Sequence, residues 1–356
     1  MKISFLLNFP SRHPFGGYKV IFTYANYLSQ KGHIVTLVYQ CDNAFANYKM
    51  PHVARYILSI IESKMGPKWF SLDNRIKRIV LNSFNTENFP DGDVVVATAV
   101  DTAGKVKSLP ESKGRKIYFI QHFEDWVIDK RDVLKTYQYG MTNIVIAKWL
   151  KEIVDKEADK PSVFIPNGIS SEVFNVSTDV ESRNPYTISV LYHSSEWKGS
   201  KDALETLRRV KQLCPQLKVE MFGVPRPPEN LESWIHYTQG ASQNQLHDIY
   251  NKTAIYLCTS LSEGFGLTGA ESMFCGCALV TTDTLGVREY SNENNSMICR
   301  PRDINALVSS VETLIKDNSR RIEMAKLGNK EIMDKLNLET ACRIFEETII
   351  AAKDNS

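Results

Sequence analysis

Two glutamates, Glu263 and Glu271, bracket the glycines Gly264, Gly266 and Gly269 within the stretch 259–280. An apolar run, 254–258, leads into the glycines, and a helical pattern follows them. Strand, glycine loop and helix start together make an anion site. The first-turn amides and the positive end of the helix dipole face whatever lies above the loop. Carboxylates at such a mouth repel a bare phosphate, but a carboxylate accepts both protons of a vicinal diol. The stretch therefore suits a phosphate flanked by polyols, as in a nucleotide sugar. The same residues also suit an ordinary βα turn whose glycines serve backbone geometry, so the choice depends on what surrounds them.

The surrounding elements recur as β–loop–α units. Residues 2–7 read as a buried strand, followed by the loop 8–15, Gly16-Gly17, and a helix in which Val20, Ile21, Tyr24, Ala25 and Leu28 recur at helical spacing. A second strand is predicted over 33–39. This opening predicts a doubly wound parallel sheet with Gly16-Gly17 where ligands bind beyond the strand ends, although the third glycine of the dinucleotide fingerprint is missing. The spacing predicts a helix over 52–82, strands at 93–100 and 116–121, then a strand at 143–147, a helix at 149–158 and a strand at 162–165. The strand at 116–121 ends in His122-Phe-Glu-Asp-Trp126, polar and aromatic groups at a ligand-binding strand end. Residues 175–186 are polar, contain Asn184-Pro185 and are predicted to be a linker. The pattern then restarts with a strand at 186–191, the loop from His193 to Gly199, a helix at 203–213, a strand at 217–222 and a helix at 245–251. After the glutamate stretch come a strand at 278–282 and helices from Asn305 onward. Two βα-repeating halves predict an α/β chain of two Rossmann-like doubly wound domains facing one another across a cleft.

Composition narrows the classes further. The length of 356 residues suits two domains, and 43 basic against 41 acidic residues carry no nucleic-acid signature. No apolar run approaches the roughly 18 residues of a membrane span, and residues 1–7 are too short for the core of a signal peptide. Seven cysteines are scattered, and Cys275-Gly-Cys277 lacks the gap of a zinc knuckle. Reduced, packed thiols are expected, and with them a cytoplasmic location. Lys64, Lys68, Arg75, Lys77 and Arg78 interleave with Trp69 and Phe70, against only Glu62 and Asp73. The segment 64–78 suits either a solvated face or peripheral contact with the inner face of an anionic membrane.

Taken in order, these pieces resemble the retaining, nucleotide-sugar-dependent glycosyltransferases of the GT-B fold, family 4 (glycosyl transferases group 1) type. The resemblance covers nearly the whole chain. It rests on Gly16-Gly17, the turn Phe164-Ile-Pro-Asn-Gly168, Lys198-Gly199, Ser262-Glu-Gly-Phe-Gly-Leu267 with Glu271 eight residues after Glu263, and Gly286 with Glu289. The Glu-x7-Glu segment is its specific part. The resemblance implies an acceptor-binding domain over 1–175, completed by a C-terminal helix at 338–356, and a nucleotide-sugar domain over 185–337. Ile344, Phe345, Ile349 and Ile350 are the expected docking stripe of that helix.

By position, the resemblance gives Glu271 the ribose hydroxyls. Glu263 and the amides of Gly264, Phe265, Gly266, Leu267 and Thr268 receive the donor sugar and the distal phosphate. Lys198 neutralises the departing diphosphate, Gly16 and Gly17 assist from the other domain, and His122 lies near sugar and acceptor. A lysine and helix dipoles take the place of a divalent ion, and the sequence is expected to hold no Asp-x-Asp metal pair and no further cofactor. The family's usual arginine about five residues before the lysine is replaced by His193. The charge then falls to a protonated His193, or to Arg12, Lys19 or Arg288. The acceptor, a glycan, a lipid-linked sugar or a small molecule, is expected to meet loops around 9–15, 41–50 and 122–130. Two other readings share the fold: a silent nucleotide-sugar-binding subunit, and a sugar-nucleotide epimerase.

Overall fold

The computed structural model describes residues 1–41 and 50–354. It divides into two compact units, Met1–Pro166 with Glu339–Ser356, and Asn167–Leu338. Each is a parallel sheet wrapped by helices, a Rossmann-like doubly wound domain.

The first unit holds strands β1 (Lys2–Leu7), β2 (Ile34–Gln40), β3 (Lys77–Leu81), β4 (Val94–Ala97), β5 (Arg115–Ile120), β6 (Thr142–Val145) and β7 (Val163–Phe164). Its helices are α1 (Gly16–Gln30), α2 (His52–Met65), α3 (Val100–Ser108), α4 (Lys130–Thr136) and α5 (Lys148–Glu157). The sheet order is β3-β2-β1-β4-β5-β6-β7. Central strands such as β1 and β4 are almost wholly buried, as continuous apolar runs must be when helices cover both faces.

The second unit holds β8 (Thr187–Leu191), β9 (Lys218–Gly223), β10 (Ile235–Gln239), β11 (Ile255–Cys258), β12 (Ala278–Thr282) and β13 (Ser296–Cys299), in the order β10-β9-β8-β11-β12-β13. Its helices are α6 (Ser200–Leu213), α7 (Gln243–Lys252), α8 (Leu267–Phe274), α9 (Ile304–Lys316) and α10 (Asn318–Lys335). In both sheets the chain steps outward on one side and then returns to the other, so β1 neighbours β4 and β8 neighbours β11. Loops leaving the C-terminal ends of those neighbours open at the switch point where such sheets bind ligands.

The last helix, α11 (Leu338–Asp354), belongs to the first unit. Phe345 stacks on Tyr24 with ring centroids 4.3 Å apart and also meets Phe5 and Phe119, while Glu346 pairs with His33 at 2.8 Å. The inward face reads Ala341, Cys342, Phe345 and Ile349. Ile350 is exposed, because one residue past Ile349 turns it about 100° around the helix.

Two expectations are corrected. The helix expected over 52–82 stops at Met65, where Gly66-Pro67 follows, and the chain resumes as the edge strand β3 beside β2. Within 64–78, Trp69 and Phe70 pack on Phe22, Arg75 pairs with Asp73 and Arg78 donates to the Gly66 carbonyl, whereas Lys64, Lys68 and Lys77 are exposed. Residues 175–186 are not a linker. Val180 and Arg183 are buried, and the Arg183 guanidinium donates to the carbonyls of Thr178, Tyr250, Thr253 and Cys275. The division between units falls at Pro166–Asn167 instead.

Candidate active site

Lys198 and Glu263 are 65 residues apart in sequence, yet their loops leave adjacent parallel strands. Lys198 follows β8 and Glu263 follows β11, so both emerge from the same end of the sheet. Backbone contacts then stitch the loops together. Leu261 N–H donates to the Trp197 carbonyl at 2.6 Å, and the Thr259 hydroxyl donates to the Gly199 carbonyl at 2.8 Å. Gly199 sits at φ 64°, and a Cβ there would lie 1.9 Å from the Thr259 carbonyl oxygen. Glycine alone permits both that backbone and that approach.

At the seam, Lys198 Nζ donates to Glu263 Oε1 at 2.7 Å and Oε2 at 2.9 Å, while the Ser260 hydroxyl donates to Oε1 at 2.7 Å. The two side chains are 23% and 11% exposed, sheltered enough for the pair to be rigid and open enough to meet a ligand. Behind Glu263 the chain forms a parallel bridge to Leu285, and Gly286 packs so closely that a Cβ would lie 2.5 Å from the Glu263 carbonyl oxygen.

The glycine loop closes on the start of α8. Gly266 is its N-cap at φ 86° and offers no side chain, so the first-turn amides of α8 face outward from the helix start. Tyr290 Oη donates to the Gly266 carbonyl at 2.7 Å and its ring meets Phe265, which holds the loop from behind. Glu271 lies one turn further along α8 and is 2% exposed. Ser260 and Tyr290 were not singled out from the sequence. Ser260 carries a weak signal, a hydroxyl three residues before an acid, whereas Tyr290 carries none.

His193 is held at both ends of its loop. Its N–H donates to Ser200 Oγ at 2.8 Å, and Ser200 Oγ returns the bond to the His193 carbonyl at 2.9 Å. Ser195 N–H donates to His193 Nδ1 at 3.0 Å, which fixes Nδ1 as an acceptor and leaves the ring proton on Nε2. Burial and then the Lys198 charge push its pKa below the ordinary value, with Glu263 opposing. His193 is therefore a neutral donor here, not the cation that would replace an arginine. Arg12 is paired with Glu62, and Arg288 with Asp283 and Glu293, so both arginines considered as substitutes are already committed to carboxylates.

Gly16, Gly17 and His122 lie in the first unit. Gly16 and Gly17 form the first turn of α1, and a Cβ on Gly17 would lie 3.2 Å from Gln121 Nε2, which brings that turn against the loop after β5. His122 Nδ1 lies 3.3 Å from the Phe123 carbonyl, and its ring meets Trp126 and Trp149 edge-on. Beside it, Glu124 Oε2 accepts the Val100 N–H at 2.6 Å at the start of α3. Burial, with Asp101 adding to it, pushes the Glu124 carboxyl up to about 7. Of the loop 41–50, residues 42–49 lie outside the described residues.

The chain does hold one Asp-x-Asp spacing, Asp91-Gly92-Asp93, but at the N-terminal end of β4. There Asp91 pairs with Lys113 while Asp93 accepts the Lys2 N–H, so the spacing serves the opposite end of the sheet. Among the described residues no group of three or more His, Cys, Asp or Glu side chains is placed to hold a metal ion, and no helix is long and apolar enough to cross a membrane.

Residues 178–331 match the family model described as glycosyl transferases group 1. Trehalose synthase of Pyrococcus horikoshii is 24% identical over 174 residues, 43% of this chain and 41% of that protein. The chain thus spans well under half the length of the curated relatives it matches. Among solved structures, sucrose-phosphate synthase from Thermosynechococcus elongatus superposes with a TM-score of 0.78 at 14% identity, covering 100% of both chains. Anabaena HepE, solved with UDP and glucose, superposes at 0.76 and 15% identity, covering 99% of this chain and 100% of the other.

Proposed function

With residues 178–331 matching the family model described as glycosyl transferases group 1, we propose that this protein is a retaining glycosyltransferase. It moves a sugar from a nucleoside-diphosphate sugar to a glycan, lipid-linked or small-molecule acceptor, in cell-surface polysaccharide or glycolipid synthesis. The observation that carries this reading is the Lys198 ammonium seated on Glu263, four residues ahead of the open first turn of α8.

The bond that breaks joins the anomeric carbon to the distal phosphate oxygen. Negative charge grows on that oxygen and oxocarbenium character on the sugar. Lys198 and the first-turn amides of α8 are fixed before the reaction, so they stabilise the charge without reorganising. Glu263 accepts hydroxyls of the donor sugar and Glu271 those of the ribose. His193 adds a neutral N–H, the first turn of α1 at Gly16 and Gly17 adds amides, and His122 serves the sugar and acceptor. The departing phosphate oxygen takes the acceptor hydroxyl's proton as the new C–O bond forms on the same face. No divalent metal is assigned a role.

That HepE was solved with UDP and glucose supports a nucleoside-diphosphate donor. Seven free, buried cysteines support a reducing, cytoplasmic setting. Peripheral membrane contact belongs to the same reading, with Lys64 and Lys68 as its basic component. A thermal-shift screen over nucleoside diphosphates and their sugars tests it. A base-selective rise in Tm is expected, weakened in Glu271→Ala; no rise with any nucleotide would overturn the proposal.

A further inference from the structure

Helix α2 is built inside out. Its buried positions are Ser59, Glu62 and Ser63, whereas Val53, Ile57, Ile61 and Met65 are 67%, 52%, 41% and 62% exposed. At 3.6 residues per turn these four apolar residues fall within an arc of about 120°, and exposed Lys64 projects from the same arc. A solvated helix on a globular unit carries the reverse pattern. On the inward face buried Glu62 pairs with Arg12, and the Ser63 hydroxyl donates to the Ile60 carbonyl at 2.9 Å.

We propose that the outward face of α2 docks on an anionic lipid bilayer surface. Charge chooses the occupant. Lys64 projects from the stripe itself and Lys68 and Lys77, which follow the helix in sequence, are also exposed, while the two acids of 52–78, Glu62 and Asp73, are each neutralised by an arginine. Lysines beside an apolar arc meet acidic headgroups while the apolar side chains enter the boundary of the acyl region. Four side chains on one 14-residue helix cover far less than the roughly 800 Å² per partner of a stable protein interface, so a second copy of the chain fits less well. The proposal rests on the transferase reading only for its purpose, to hold the first unit at the surface where a lipid-borne acceptor lies.

Flotation of the full chain with phosphatidylcholine vesicles, with and without phosphatidylserine, tests it. Binding is expected only with phosphatidylserine and is expected to weaken as salt rises. Lys64→Gln/Lys68→Gln is expected to weaken it about 25-fold, at about fivefold per lysine. Ile57→Gln/Ile61→Gln is expected to weaken it on the order of tenfold or more. Both variants touch exposed positions and should keep the parent's Tm and nucleotide-induced shift, so a failed flotation is distinguishable from a failed transferase reading. No flotation at low salt would overturn the proposal. So would unchanged flotation of the isoleucine variant, or a dimer abolished by that variant without any lipid binding.

Discussion

Lys198→Met separates what the Lys198–Glu263 pair does for the fold from what it does for turnover. In the free protein the substitution strips the Glu263 carboxylate of contacts at 2.7 and 2.9 Å and leaves it the Ser260 hydroxyl. Breaking a buried pair costs about 3–5 kcal/mol. Exposures of 23% and 11% let water replace part of the loss, so about 2 kcal/mol is expected in urea unfolding. Glu263→Gln removes the stranded charge, and the double variant Lys198→Met/Glu263→Gln should recover most of that stability. Turnover should behave differently. Losing one preorganised donor to the leaving group costs about 3–4 kcal/mol, or 10²–10³ in kcat, and the double variant supplies no cation. Unfolding curves and the release of nucleoside diphosphate from the donor, followed on the four proteins of the cycle, read the two quantities apart. A Lys198→Met enzyme within about threefold of the parent rate, or a double variant that regains rate along with stability, would show that Lys198 only braces the loop.

Two further outcomes follow from buried groups. The Glu124 carboxyl titrates near 7 in the folded chain, above the ordinary carboxylate range, so the unfolded chain loses its proton first as pH rises and folding stability falls toward neutrality. Glu124→Gln keeps an acceptor for the Val100 N–H and should match the parent near pH 4, then exceed it by on the order of 1–3 kcal/mol above pH 7; a pH-independent difference in unfolding free energy would refute this. Arg183→Leu strands the carbonyls of Thr178, Tyr250, Thr253 and Cys275. It should cost on the order of 3 kcal/mol or more in urea unfolding, and a loss below about 1 kcal/mol would show that those carbonyls find other donors.

The strongly apolar strands β1, β4, β5, β11 and β12 were legible because each is buried on both faces and reads as an uninterrupted run. Of the four edge strands only β7 was. β3 carries Lys77 and Arg78, β10 is mostly polar, and β13 has only four residues, as edges tend to be. Residues 175–186 looked like a linker because composition cannot tell a solvated arginine from one that binds four carbonyls. At the candidate site, the residue types of Lys198, Glu263 and Glu271 and their order were readable. Their meeting was not, because it depends on β8 and β11 being neighbours. The neutrality of His193 was also out of reach, since it depends on burial and on the nearby Lys198 charge, and its tautomer on one backbone N–H from Ser195.

Phe345, stacked on Tyr24 between Phe5 and Phe119, has a consequence for how the chain is made. The residues it touches are synthesised before it, with the whole of Asn167–Leu338 intervening. A nascent chain can therefore close its second unit while the aromatic core of the first still lacks a wall. The unit begun first is the one finished last.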